Sequence, residues 1–231
     1  MFFKGCFMKF GILGAMESEV NLIISKLENS SVREISGFRY FEGIYNNKEV
    51  VVTECSIGKV NSAISTQIMI DYFKPDFIIN TGIAGGLDDR LEILSMVIGE
   101  ELTFHDFDHR ILREYFPFRE FFHADERAVT LAKKIASREN IHHISGRIIT
   151  GDLFVEDSLK KIELMDKFGG LCVEMEGAAI ANTAFVNNIP FIVLRSISDM
   201  ADDGGKMTYD EFKVKASNQS ATMVLNLVDE L

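Results

Sequence analysis

Short apolar runs along the chain alternate with stretches in which apolar residues recur every three or four positions, a pattern that predicts strands interleaved with helices. Phe10, Ile12 and Leu13 read as a strand stopped by Gly14, after which Val20, Ile23, Ile24 and Leu27 recur at helical spacing. Segments 40–45 and 50–54 flank Asn46 and Asn47, residues that tolerate the left-handed backbone of a tight turn, so a hairpin is expected. Residues 60–73 read as a helix ended by Lys74 and Pro75, and Phe77, Ile78 and Ile79 as a buried strand running into the loop 81–86. Further strands are expected at 96–98, 102–104, around Ile148 and Ile149, at 171–174 and at 191–197. Helices are expected from a cap at Asp125 through Ser137, over 158–168, over 177–186 and from Tyr209 to the C-terminus. Residues 107–122, rich in aromatics and Arg without clean periodicity, read as a loop, and Gly204 with Gly205 as a flexible connection. Together these elements predict an α/β fold with a mixed, mostly parallel sheet between helices.

Composition narrows the partners. At 231 residues with no Pro/Gly/Ser-rich linker, the chain reads as one domain over 9–231, preceded by an appendage at 1–8 in which Met8 offers an alternative start. A net charge of -11 repels phosphate backbones and anionic bilayers, and no Lys/Arg cluster overrides it, so nucleic acid and membrane surfaces are excluded as expected partners. No apolar run reaches spanning length, and residues 1–7, interrupted by Lys4, are too short for a secretory signal core. Cys6, Cys55 and Cys172 have neither metal nor redox spacing, which points to a reducing compartment and a cytoplasmic location.

The chemistry is carried by acids at strand ends. Glu174 and Glu176 lie where an apolar strand meets the small-residue helix at Gly177, Asp199 ends another apolar run, and Glu17 and Glu19 open the first helix. Loops at the carboxyl ends of neighbouring strands converge on one crevice in open α/β sheets, so three such ends suggest one cleft. Each acid has a plainer reading. Glu17 and Glu19 complement a helix dipole, and since residues two apart point in different directions only one of them is expected to face the cleft. Asp199 is otherwise an N-cap, and the loop 81–86 either approaches a ligand closely or is a tight turn that needs its glycines. Gly11 and Gly14 have the wrong spacing for a dinucleotide-binding turn. His105, Asp106, Asp108 and His109 are either metal ligands or a surface turn, with no further ligand at a spacing that closes a known site type. Cys55 has no histidine near it in sequence to make it a nucleophile.

Six tracts, in order, carry a resemblance: residues 14–20 (GAMESEV), 56–60 (SIGKV), 80–86 (NTGIAGG), 150–152 (TGD), 173–176 (VEME) and 195–199 (RSISD). The chain resembles the bacterial 5'-methylthioadenosine/S-adenosylhomocysteine nucleosidases of the nucleoside phosphorylase superfamily, over nearly all of its length from Lys9. That resemblance implies a three-layer α/β/α homodimer that hydrolyses the N-glycosidic bond of adenosine thioethers without metal or organic cofactor. It implies Glu19 as the acid that orients and deprotonates water and Asp199 as the proton donor to adenine N7. Glu176 is expected to bind the ribose hydroxyls, Met175 to pack beneath the sugar, Phe154 to stack on adenine and the Val155 backbone to bond the base. Ala84 and Gly85 are expected to line the same pocket, and Met16, Ile57, Ser198 and Glu174 are carried over with their tracts as substrate-binding positions. Arg195 is expected to hold Glu19 and the water, and the pKa of Asp199 to be raised by burial or by the charges of Glu19, Glu174 and Glu176.

Two departures bear on these expectations. Ile83 stands where many relatives have serine, so that either a backbone amide replaces the hydroxyl or turnover is altered, and residues 107–122 look shorter than the corresponding loop. Three competitors remain: a nucleoside phosphorylase, which requires arginines to clamp phosphate; a futalosine-type hydrolase acting on the same bond; and a non-catalytic nucleoside-binding protein, against which the intact Glu19, Glu176 and Asp199 speak.

Overall fold

The computed structural model describes residues 8–202 and 205–231. In chain order the elements are β1 (Lys9–Gly14), α1 (Glu17–Ile24), β2 (Glu28–Ile35), β3 (Phe38–Tyr45), β4 (Lys48–Glu54), α2 (Lys59–Phe73), β5 (Phe77–Gly86), β6 (Met96–Phe104), α3 (His109–Glu114), β7 (Phe122–His123), α4 (Glu126–Arg138), β8 (His143–Thr150), α5 (Ser158–Phe168), β9 (Cys172–Glu174), α6 (Gly177–Val186), β10 (Phe191–Asp199) and α7 (Gly205–Glu230). Local chemistry sets their ends. Asn46 and Asn47 take φ of 46° and 65°, the left-handed pair that a two-residue hairpin between β3 and β4 requires. Asp125 and Asp157 cap α4 and α5 by accepting two backbone N–H groups each. Lys74, left-handed with φ 52°, closes α2 ahead of Pro75.

The elements form a mixed α/β fold about one sheet, in the strand order β10-β6-β8-β9-β5-β1-β4-β3-β2. Pairs β1–β4, β1–β5, β5–β10, β6–β8 and β8–β9 are parallel, and the others antiparallel. Because β5 also pairs with β10 along most of its length and with β9 at its end, strands β5, β10, β6, β8 and β9 close into a hydrogen-bonded ring from which β1, β4, β3 and β2 extend. Val173 sits opposite Gly85 and Asp199 beside the same glycine, so the ends of β5, β9 and β10 meet at one place. Apolar strands such as Ile78–Ile79 and Val193–Leu194 are fully buried on both faces, as strands covered by helices are. Helix α7 lies against β10, β5 and α1, and α2 lies against α6. Among the described residues no helix is long and apolar enough to cross a membrane.

Several sequence expectations need correction. Residues 107–122 are not simply a loop: Asp108 caps the short α3, which buries only Leu112, and β7 follows, pairing with β6. The strands expected at 96–98 and 102–104 are one strand, β6, whose register with β8 shifts between Gly99 and Glu101. Strand β2 was not expected; its residues are almost all exposed, so no alternation betrays it. Helix α7 begins at Gly205 rather than Tyr209, which makes Gly205 helical, while Gly204 lies outside the described residues. The appendage expected at 1–8 lies outside them too, except for Met8, which packs against the core.

Candidate active site

Glu19 emerges from the first turn of α1, just past the end of β1, and folds back onto the backbone. Its Oε2 accepts the N–H groups of Ala15 at 2.6 Å and Met16 at 3.0 Å, and its Oε1 accepts that of Ile83 at 3.0 Å. The carboxylate is thereby held by β1 and β5 together. The Ile83 amide makes its bond whatever side chain the position carries, so the absence of a serine hydroxyl leaves Glu19 anchored. Glu17, by contrast, points to solvent and bonds Asn21, so only one of the two acids faces inward, as helical spacing requires. Burial raises the pKa of Glu19, against the lowering effect of the Arg195 charge and the three backbone donors.

Beneath the acids lies a fully buried guanidinium. Arg195, in β10, bonds through Nη2 to the carboxylate of Glu174 and, at 2.7 Å, to Asn80 Oδ1; its Nη1 reaches Thr81 O at 3.3 Å. Arg195 does not line the cavity, a correction to its expected place, and makes no hydrogen bond to Glu19, on which its charge nevertheless acts; its nearest carboxylates are Glu174 and, at 3.6 Å, Glu176. Burial alone would lower the guanidinium pKa, but Glu174, Glu176 and Glu19 more than offset it and keep the charge in place. Glu174 is saturated: Thr150 Oγ1, the N–H of Glu176 at 3.0 Å and that of Gly177 at 2.7 Å all donate to it. It serves as an internal anchor at the turn from β9 into α6. That turn delivers Glu176 to the cavity, where its Oε1 accepts the Gly58 N–H at 2.9 Å. Burial, then repulsion from Glu174, raises the pKa of Glu176.

Asp199 ends β10 across the cavity from α1. Among the described residues, Ser198 Oγ and the Ala201 N–H donate to it at 2.8 and 2.9 Å, against three backbone donors at Glu19. Burial raises its pKa, and among the described residues the charge of Asp202 adds to that rise. Of the two causes expected for this rise, burial or the charges of Glu19, Glu174 and Glu176, burial is the larger. A carboxyl whose pKa is raised by burial is shifted in the direction that a proton donor needs.

One cleft, partly open to solvent, connects these groups. Glu19, Asp199, Glu176, Glu174 and Met175 line it together with Ile83, Ala84, Gly85 and Ser198. Met16, Ile57, Phe154 and Val155 complete the expected set, of which only Arg195 stands outside the lining. Ala15, Leu153, Val173 and Tyr209 also line the cleft and were not expected. Tyr209 comes from α7, its ring 5.5 Å from that of Phe154 and its hydroxyl 3.2 Å from Met16 Sδ. Nothing local marks it in sequence; α7 alone brings it there. No lysine or arginine side chain among the described residues lines the cleft. Nor does the 105–109 cluster face it: Asp106 is bound to Lys59, and His109 bridges Glu120 and Phe104 O. Among the described residues no group of three or more His, Cys, Asp or Glu side chains is arranged to hold a metal. Cys55 and Cys172 are buried, and burial pushes both thiols up, away from the thiolate a nucleophile requires.

Two outcomes follow. Arg195→Met leaves Glu174 buried without its counter-charge and is expected to cost about 3–5 kcal/mol of stability by urea denaturation. Asp199 has a folded pKa above its unfolded value, so its favourable contribution is complete below about pH 3.9 and is lost as pH rises through the folded value. Asp199→Asn is therefore expected to raise the Tm at pH 8, with the gap closing by pH 4 in thermal melts.

The sequence model of the phosphorylase superfamily matches residues 9–231. A protein from Exiguobacterium named 5'-methylthioadenosine/S-adenosylhomocysteine nucleosidase is 40% identical over 232 residues, which cover 97% of this chain and 99% of that one. The crystal structure of the S-adenosylhomocysteine nucleosidase from Streptococcus pyogenes in complex with 5-methylthiotubericidin superposes with a TM-score of 0.94 at 32% identity, covering 98% of each chain. The futalosine hydrolase of Helicobacter pylori superposes with a TM-score of 0.91 at 34% identity, over 97% of this chain and 98% of that one. Extended sequence identity, a shared architecture and a cleft lined by acids agree: this chain belongs to the phosphorylase superfamily and, within it, to the 5'-methylthioadenosine/S-adenosylhomocysteine nucleosidases.

Proposed function

We propose that this chain hydrolyses the N-glycosidic bond of 5'-methylthioadenosine and S-adenosylhomocysteine, releasing adenine and a thioribose product. The observation that carries the reading is the placement of two differently treated acids, Glu19 and Asp199, on the walls of one cleft. Glu19, fixed by three backbone donors, takes the proton of a water directed at the anomeric carbon. Asp199, buried and lightly bonded, gives its proton to adenine N7, so that the base leaves as a neutral species. Between them the sugar develops positive charge, which neighbouring carboxylates stabilise. Glu176 accepts the ribose hydroxyls, Met175 packs beneath the sugar, Phe154 stacks on the base, and the Val155 backbone bonds its edge. Met16, Ile57, Ile83, Ala84, Gly85 and Ser198 shape the remaining wall, while Glu174 and Arg195 hold that wall from below. The step so written uses no metal and no organic cofactor.

Phosphorolysis is disfavoured by the same geometry. A phosphate nucleophile needs a cationic clamp, and the arginine nearest the acids is fully buried and committed to Glu174. A futalosine is the closer competitor, since the futalosine hydrolase shares the fold to a similar degree. We further assign the activity to a single domain over 9–231, working as a cytoplasmic homodimer in methionine salvage, with adenine nucleoside thioethers rather than nucleic acid as its partners.

A coupled adenine-release assay across methylthioadenosine, S-adenosylhomocysteine and a futalosine tests the reading; the two thioethers are expected to be cleaved in preference. Glu19→Gln and Asp199→Asn are each expected to lower kcat by about 10²–10⁴. In the wild type, activity is expected to fall at high pH as Asp199 ionises, and the residual activity of Asp199→Asn to lack that limb. Full adenine release by either variant would refute its assigned role.

A further inference from the structure

Lys59 lies outside the cleft, yet its bonds join the segments that build two of its walls. It is the first residue of α2 and follows Gly58, whose N–H holds Glu176. Its Nζ contacts both carboxylate oxygens of Asp106, each at 2.6 Å, in the loop after β6. Asp106 Oδ2 accepts, in addition, the N–H of Asp152 at 2.9 Å. Asp152 closes the triangle: its Oδ1 accepts the backbone N–H of Lys59 at 2.9 Å, and its Oδ2 is 3.6 Å from Lys59 Nζ. From Asp152 the chain runs directly into Phe154 and Val155, in a stretch outside helix and strand that lasts until Ser158.

The three segments approach too closely to leave slack. Gly58, at φ 96°, would place a Cβ 3.2 Å from Asp152 Oδ1, and a Cβ on Gly151 would overlap the ring of His105. Burial alone would raise Asp106, but the bonds from Lys59 and Asp152 hold it below the ordinary aspartate range. The side chains of Lys59, Asp106 and Asp152 are 19%, 31% and 44% exposed, so solvent screens them and their net contribution to stability is small. Such a cluster acts through geometry.

We infer that Lys59, Asp106 and Asp152 form a positioning clamp that registers the base-binding loop, through Phe154 and Val155, against the Gly58–Glu176 contact for the ribose hydroxyls. The clamp sets the spacing between the base end and the sugar end of one bound nucleoside, and the inference rests on the nucleosidase reading of the cleft. A loop out of register weakens ground state and transition state alike, which raises KM and leaves kcat nearly unchanged.

The test compares wild type, Lys59→Met and Lys59→Arg in methylthioadenosine cleavage, calorimetric binding of adenine, and thermal melts. Lys59→Met is expected to raise both KM and the adenine Kd about tenfold with kcat within about twofold. Lys59→Arg, which retains a donor for Asp106, is expected to return both to within about threefold of wild type. A merely structural role reduces the folded fraction, lowering apparent kcat and Tm with KM and Kd unmoved, and that result would overturn the clamp. Unaltered kinetics and binding in Lys59→Met, with wild type active, overturn it equally and leave the functional reading standing. A wild type that neither cleaves the nucleoside nor binds adenine sinks the functional reading and the clamp together.

Discussion

The Arg195–Glu174 pair is the constraint on which the cleft is built. A fully buried guanidinium is tolerable only when its charge is met, and here the carboxylate of Glu174, the side chain of Asn80 and the carbonyl of Thr81 meet it at Nη1 and Nη2, while Nε has no hydrogen-bond partner among the described residues. Those partners belong to β9 and β5, while Arg195 belongs to β10. One ionic contact therefore ties together the three strands whose ends carry Glu176, the Ile83 amide and Asp199. It also removes the central cation from any role in holding an anionic nucleophile, which leaves the cleft to uncharged reactants and water.

On that base the fold treats its carboxyl groups differently. Glu19 receives three backbone N–H groups, which favour a carboxylate; Asp199 receives one N–H and one hydroxyl and is otherwise desolvated, which favours the acid. Burial raises both; at Glu19 the charge of Arg195 and three backbone donors oppose the rise, and at Asp199 one backbone donor and the Ser198 hydroxyl. Gly82 lets Arg195 and Glu19 approach closely: a Cβ there would overlap both Arg195 Nη1 and Glu19 Oε1.

Much of the architecture was legible in the sequence, because buried parallel strands and amphipathic helices leave different periods of apolar residues. The elements missed are those without such a period. Strand β2 is polar on both faces at the sheet edge, and α3 is one short turn system that buries a single leucine. Acids at strand ends pointed to the cleft, and the cavity does gather Glu19, Glu176 and Asp199. What sequence reasoning could not do was pair charges. Arg195 is near Glu19 as expected, but its hydrogen-bonded carboxylate is Glu174, which the tight turn after β9 puts within its reach, and that turn has no signature in residue order. Tyr209 was invisible for a similar reason, since only the docking of α7 against β5 and β10 carries it to the mouth.

If the buried cation is spent on Glu174 and the water-facing place belongs to Glu19, then water must be the nucleophile. Turnover of methylthioadenosine in ¹⁸O-enriched water containing excess phosphate measures this directly by mass spectrometry of the sugar. The account predicts ¹⁸O incorporated once, as the C1 hydroxyl of the thioribose, with unlabelled adenine and no sugar phosphate. A thioribose 1-phosphate as the main product would contradict it.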